Sequence, residues 1–195
     1  MRLFVGLDIE DAIGERIGRF VGGVRGFAPE ARWVDAESLH VTLKFIGEQP
    51  AAALGGIQGA LAQIRAELVN LEFRGCGFFP NPRSARVFWV GIQGGEQLAA
   101  LAGAIDRALE PIGVPRESHV FTPHLTLARG EGRSGAPGRR RGDRSNSYFA
   151  RLQEKLPSLT PEFGRMAARE FFLYRSQLSP KGSRYSKIGR FGFSE

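Results

Sequence analysis

Two four-residue stretches carry the side chains best suited to chemistry: His40-Val41-Thr42-Leu43 and His124-Leu125-Thr126-Leu127. They hold two of the chain's three histidines. An imidazole titrates near neutral pH, so one ring can take a proton while a second gives one. A threonine hydroxyl can donate to a phosphoryl oxygen and hold it in register. Two of each suit general acid–base catalysis at a phosphate. For a single such stretch, a satisfied histidine on a half-buried strand is the simpler explanation. The duplication argues against it.

Both stretches are rich in β-branched and aliphatic residues and read as strands. Side chains alternate along a strand, so His40 shares a face with Thr42, and His124 with Thr126. The intervening aliphatics take the opposite face, toward a core. The same parity puts Lys44 with His40 and Thr42, directed either to the phosphate or to solvent.

Around these strands the chain alternates. Residues 2–8 read as a strand. The spacing of Ile13, Ile17, Phe20, Val21 and Val24 predicts a helix over 10–24. A short strand over 32–34 and a turn precede the first histidine strand, expected over 39–47. Leu54, Ile57, Leu61, Ile64 and Leu68 mark a second helix after Pro50. Strands over 72–78 and 85–92 flank the turn Pro80-Asn81-Pro82-Arg83 and read as a hairpin. A third helix is expected over 96–109. Beyond the second histidine strand, residues 130–147 are rich in Gly and Arg and almost free of apolar side chains, which predicts a surface loop. A short helix over 148–156 and two strands over 167–178 and 185–193 complete the chain. The two histidines are 84 residues apart, each behind a strand and a helix, so two similar lobes are expected within one unit spanning 1–195.

Composition narrows the partners. The formal charge is +7 and the pI about 10.3, which favours anionic ligands such as RNA. A lone cysteine, Cys76, excludes an internal disulfide and a cysteine-rich zinc site. No apolar run is long enough for a membrane span, and the first residues lack the order of a signal peptide, so the expected location is the cytoplasm.

At the paired His-x-Thr-hydrophobic stretches the chain resembles the two-histidine phosphoesterase superfamily. Within it, the chain is most similar to the RNA 2',3'-cyclic phosphodiesterases of bacteria and archaea, historically called 2'-5' RNA ligases. The resemblance includes Arg2-Leu3-Phe4-Val5-Gly6-Leu7-Asp8, Arg32-Trp33-Val34, Lys44-Phe45-Ile46-Gly47, the run from Phe121 to Arg129, and Leu173-Tyr174-Arg175-Ser176. It leaves out the Gly/Arg-rich segment, which takes no role from it.

The resemblance implies an α+β fold of two pseudo-symmetric lobes, with antiparallel sheets facing a central groove and helices on the outer faces. It implies hydrolysis of an RNA 2',3'-cyclic phosphate to a 2'-phosphate, with His40 as proton donor and His124 as proton acceptor. The two nearly identical motifs do not themselves assign these roles. Thr42 and Thr126 would hold non-bridging phosphate oxygens. Arg129 is also implied as a phosphate contact, yet it has the wrong parity unless the strand ends or bulges near Ala128. No metal or other cofactor is expected, no membrane is involved, and a two-lobed monomer suffices. His119 lacks a threonine two residues on and reads as structural or surface. Phe4, Trp33 and Tyr174 could stack on a base, although strand aromatics are more often core.

The residues admit rival functions. A zinc hydrolase would need three or four ligands at close spacing, which neither histidine strand offers. An RNA-end-binding protein without turnover, or a phosphodiesterase for a small cyclic nucleotide, would use the same residues. The family's ligase name implies the reverse reaction, joining a cyclic phosphate to a 5'-hydroxyl.

Overall fold

The computed structural model describes residues 1–130, 148–156, 160–179 and 182–193. The expected surface loop at 130–147 therefore lies outside the described residues except for Gly130. The order is β1 (Arg2–Leu7), α1 (Asp11–Val24), β2 (Arg32–Trp33), β3 (Val41–Glu48), α2 (Leu54–Ala62), β4 (Val69–Phe79), β5 (Val87–Gln93), α3 (Gly95–Leu109), β6 (His124–Arg129), α4 (Ala150–Lys155), β7 (Glu162–Ala168), β8 (Glu170–Ser179) and β9 (Gly182–Gly192).

Among the described residues the strands form one curled antiparallel sheet in the order β7-β4-β5-β6-β3-β1-β8-β9, with β2 added beside β6. The order is symmetric about its centre. β6-β5-β4-β7 in one half corresponds to β3-β1-β8-β9 in the other. The expected two sheets are thus joined at a seam, where the β3–β6 register consists of Val41 opposite Leu125. Both residues immediately follow a candidate histidine, so the fold's pseudo-axis passes between His40 and His124.

The helices form because their apolar stripes have somewhere to go. Ile13, Ile17 and Val24 of α1, Ile57 and Leu61 of α2, and Leu98, Leu101, Ile105 and Leu109 of α3 are buried in one core. The strands meet them with Leu3, Val5 and Leu7, Val41 and Leu43, Phe88 and Val90, and Leu125 and Leu127. Burying an aliphatic side chain of this size contributes about 1.5–3 kcal/mol, which offsets the entropy of ordering the chain. The opposite face of the sheet carries a separate small cluster of Phe4, Phe172 and Tyr174.

Three elements differ from expectation. Helix α2 stops at Ala62, although Ile64 and Leu68 continue its period. Gly55, Gly56 and Gly59 weaken this helix, and the chain leaves it early to start β4 at Val69. The expected strand over 167–178 spans a break at Arg169, with β7 ending before it and β8 starting after it. Strand β7 lacks the alternation of a half-buried strand; it forms as an edge through pairing with β4 from Val69–Ala168 to Arg74–Glu162.

Candidate active site

The backbone fixes both histidines in the same way. His40 Nδ1 lies 2.8 Å from the carbonyl oxygen of Ser38, and His124 Nδ1 lies 2.8 Å from that of Thr122. A carbonyl can only accept, so Nδ1 carries a proton in each ring whatever its charge. Each Nε2 is then the atom that changes state: an acceptor in the neutral ring, a donor in the charged one. Antiparallel register about Val41–Leu125 sets the first motif against the second, with His40 toward Thr126 and His124 toward Thr42. Thr42 is half-buried beside Gly6, and Thr126 half-buried beside Trp89. Among the described residues neither hydroxyl has a hydrogen-bond partner.

Two bulges set the direction of the residues just past each motif. The β1–β3 register shifts between Val5 and Gly6, which pair with Lys44 and Thr42. The β5–β6 register shifts between Phe88 and Trp89, which pair with Ala128 and Thr126. In each case the strand spends one extra residue, so two consecutive side chains turn to the core. Leu43 and Lys44 do so in β3; Leu127 and Ala128 do so in β6. The bulge near Ala128 returns Arg129 to the face of His124. In the first half the same device returns Phe45 to the face of His40, where its ring is 48% exposed and its centroid lies 6.2 Å from that of Phe4. Phe45 and Arg129 are therefore equivalent positions with opposite chemistry.

Lys44, of undecided direction in the sequence, is turned away from the groove. Its ammonium pairs with Asp106 on α3 and donates to the Pro115 carbonyl at 2.7 Å. Asp106 also accepts from the Glu117 amide at 3.0 Å. Burial alone would raise the Asp106 carboxyl, but the Lys44 hydrogen bond, the Glu117 amide and the charges of Lys44 and Arg116 together hold it below its ordinary value.

Aromatic rings pack unevenly around the two imidazoles. His40 sits against Phe4 at 4.6 Å and Tyr185 at 5.0 Å between centroids, with Tyr174 stacked on Phe4 at 4.8 Å. His124 meets Phe79 edge-on at 4.9 Å. Gly6 makes the His40 arrangement fit, because a Cβ there would lie 2.8 Å from the Val41 carbonyl and against both Tyr174 and His40. Gly77 gives the same clearance to the Trp89 indole in the other half.

These surroundings set the charges. Burial pushes His40 down to about 4; the Ser38 carbonyl and Asp8 oppose this, while Arg129 and His124 add to it. Burial also lowers His124, opposed by the Thr122 carbonyl and reinforced by Arg129. Both shifts favour the neutral ring. Burial likewise lowers Arg129, with Tyr185 opposing and Arg2 and Arg32 reinforcing. No carboxylate among the described residues pairs with Arg129, so its charge is available to an anion.

His40, Thr42, His124, Thr126 and Arg129 therefore come together on one face. His119 is exposed, as a surface residue should be. Phe4 and Tyr174 are only 3% and 5% exposed and support His40 instead of offering a stacking surface. Trp33 faces the core side, with Nε1 donating to the Ala28 carbonyl at 3.0 Å. Sequence reasoning gave no site role to Tyr185, Phe79 and Trp89, which come from strands without a distinctive motif, or to Asp8, which follows β1. Among the described residues no group of three or more His, Cys, Asp and Glu side chains is placed to hold a metal ion. No described helix is long and apolar enough to cross a membrane.

Known proteins resemble this chain in sequence and fold. The family model of the 2'-5' RNA ligase superfamily matches residues 10–171. The chain is 33% identical to the RNA 2',3'-cyclic phosphodiesterase of Archaeoglobus fulgidus, over 96% of this chain and 98% of that one. It is 30% identical to the enzyme of the same name from Methanothermobacter thermautotrophicus, over 96% of each. Among solved structures, E. coli LigT complexed with 3'-AMP superposes with a TM-score of 0.78 at 28% identity, covering 100% of this chain and 98% of that one. A fold of two antiparallel halves, a duplicated histidine motif at their seam and a match over most of the sequence agree: the chain belongs to the 2'-5' RNA ligase superfamily.

Proposed function

We propose that this protein is a hydrolase that opens 2',3'-cyclic phosphate ends of RNA to 2'-phosphomonoesters, using His40 and His124 as a general acid–base pair and no metal. The observation that carries this reading is the matched pair of Nδ1–H bonds to Ser38 and Thr122. They leave Nε2 as the atom of each ring that gains or loses the proton. The names of the relatives from Archaeoglobus fulgidus and Methanothermobacter thermautotrophicus supply the substrate class.

Water attacks phosphorus as His124 Nε2 takes its proton. The bond from phosphorus to the 3' oxygen breaks, and His40 Nε2–H protonates that oxygen. The products are a 2'-phosphate and a 3'-hydroxyl. Thr42 and Thr126 donate to the non-bridging oxygens, and Arg129 offsets the charge that grows on them in the transition state. Asp8 favours the charged form of His40 and is absent from the groups acting on His124, which supports His40 as donor. The phosphate anion itself supplies the remaining bias against burial. With a 5'-hydroxyl in place of water, the same step joins two RNAs by a 2'-5' linkage.

The test is a short RNA ending in a 2',3'-cyclic phosphate, incubated with the protein in EDTA. The expected product carries a 2'-phosphate. His40→Ala and His124→Ala should each lose about 10²- to 10⁴-fold in kcat/KM. A 3'-phosphate product, loss of activity to chelator, or full activity in either variant would overturn the reading. Binding of the RNA end without turnover would favour an end-binding protein.

A further inference from the structure

Arg32 and Arg129 stand opposite each other on neighbouring strands, Arg2 lies on the Phe4 side of β1, and the reacting phosphate cannot use them all. Arg32 on β2 is the Cα partner of Arg129 on β6, so the two side chains leave the same face of neighbouring strands, about 5 Å apart at the backbone. Arg2 comes from the opposite half. It has the parity of Phe4 on β1, and its β8 partner is Ser176, which also pairs with Tyr185. Arg2, Arg32 and Tyr185 all act on the charge of Arg129, which places the four groups within electrostatic reach of one another. Among the described residues, Arg32 and Arg129 have no carboxylate partner, unlike Arg74, Arg165 and Arg190 elsewhere on the sheet; Glu48 stands opposite Arg2 on β3 but pairs with the N-terminal ammonium at 3.4 Å, and Arg2 makes no ion pair. Like charges held together without counter-ions cost stability unless a ligand meets them.

A cyclic phosphodiester carries one negative charge and two non-bridging oxygens. Arg129 alone offers five N–H donors, and the two threonines add two hydroxyls. Arg129 is half-buried, next to the histidines; Arg2 and Arg32 are exposed, farther out. Resting on the phosphodiesterase reading above, we propose that Arg2 and Arg32 form a second phosphate site, which takes the 5'-phosphate of the nucleotide whose cyclic phosphate lies between the histidines. In RNA that phosphate is the link to the preceding nucleotide. The site therefore makes an RNA end a better substrate than a free cyclic nucleotide.

The smallest probe is adenosine 2',3'-cyclic phosphate with and without a 5'-phosphate. Wild type should show a kcat/KM about tenfold or more higher for the 5'-phosphorylated form. Arg2→Ala with Arg32→Ala should bring that ratio close to one, and Arg32→Lys should retain part of the preference. Arg19→Ala, which removes an exposed charge from α1, should leave the ratio unchanged. A wild-type ratio near one, or an equal loss on both substrates in the double variant, would overturn the second site. Calorimetry with adenosine 2'-monophosphate and adenosine 2',5'-bisphosphate separates this proposal from the hydrolase reading. Tighter binding of the bisphosphate, lost in the double variant, upholds the site even without turnover. Equal binding of the two ligands overturns it.

Discussion

Val41 and Leu125 face each other across the seam of the sheet, each one residue past a histidine. That single pairing brings residues 84 positions apart in the chain onto one concave face. It also makes the two histidines near-equivalents, each with Nδ1 anchored on the carbonyl two residues before it. What distinguishes them lies around them: aromatic rings and Asp8 at His40, Phe79 at His124.

The acid and the base can be told apart by removing the need for the acid. A cyclic phosphate with sulfur in place of its 3' bridging oxygen leaves as a thiolate and requires little protonation. His40→Ala should recover at least tenfold of its lost kcat/KM on this substrate relative to the oxygen parent, whereas His124→Ala should be equally impaired on both. Recovery by His124→Ala would exchange the assignments.

The rate profile should shift when substrate binds. Burial holds His40 at about 4 and lowers His124, so kcat/KM, which reports the free protein, should be greatest on the acid side of 6.5. A bound phosphate anion favours imidazolium and raises both groups. The optimum of kcat should therefore lie at higher pH than that of kcat/KM. Coincident profiles would contradict the burial argument.

The same burial links His40 to stability. Its folded pKa of about 4 lies below the ordinary 6.5, so between these values the unfolded chain binds the extra proton. Stability is then undiminished above pH 6.5 and is lost as pH falls toward 4, by up to about 3 kcal/mol. Thermal melts of wild type and His40→Gln between pH 7 and 4 isolate this contribution. Wild type should lose more stability than the variant on acidification, and parallel curves would refute it.

Two glycines should respond to alanine in opposite directions. Gly6→Ala puts a methyl against the Val41 carbonyl, which is backbone and cannot rotate away. It should destabilise by about 1–3 kcal/mol and lower kcat by displacing His40. Gly18 lies within α1 with nothing within 4 Å of its added Cβ. Gly18→Ala should stabilise by about 0.5–1 kcal/mol with activity unchanged. Denaturant melts and kinetics on both variants check the pair.

Lys44 ties β3 to α3 and to the segment that leads toward the second histidine strand. Lys44→Met leaves Asp106 largely buried and short of its main partner, and should cost about 3–5 kcal/mol. Combining it with Asp106→Leu should recover part of that loss, because the pair is coupled. Additive losses in chemical denaturation would show that the pair contributes nothing as a pair.

Much of this molecule is legible in the sequence because its signals are local. Apolar spacing located α1, α3 and the histidine strands, since a 3.6- or 2-residue period must match the geometry of the element that buries it. The duplicated His-x-Thr pattern put an imidazole and a hydroxyl on one face, because strand parity is a property of the backbone alone. Tertiary structure decided everything that depends on one strand meeting another. Whether Arg129 reaches the groove and Lys44 leaves it rests on where β5 and β1 force a bulge in their partners, and a bulge exists only in a pair of strands. Helix α2 ended early because its glycines weaken it before the chain enters β4, and β7 formed without alternation because pairing with β4 outweighed the local pattern. Tyr185 and Phe79 were hidden from sequence reasoning because nothing local marks them, and Asp8, although inside a matching stretch, carried no sign that it would act on His40. Each is brought to a histidine by the curl of the sheet, and only that curl places these rings and charges close enough to act on an imidazole.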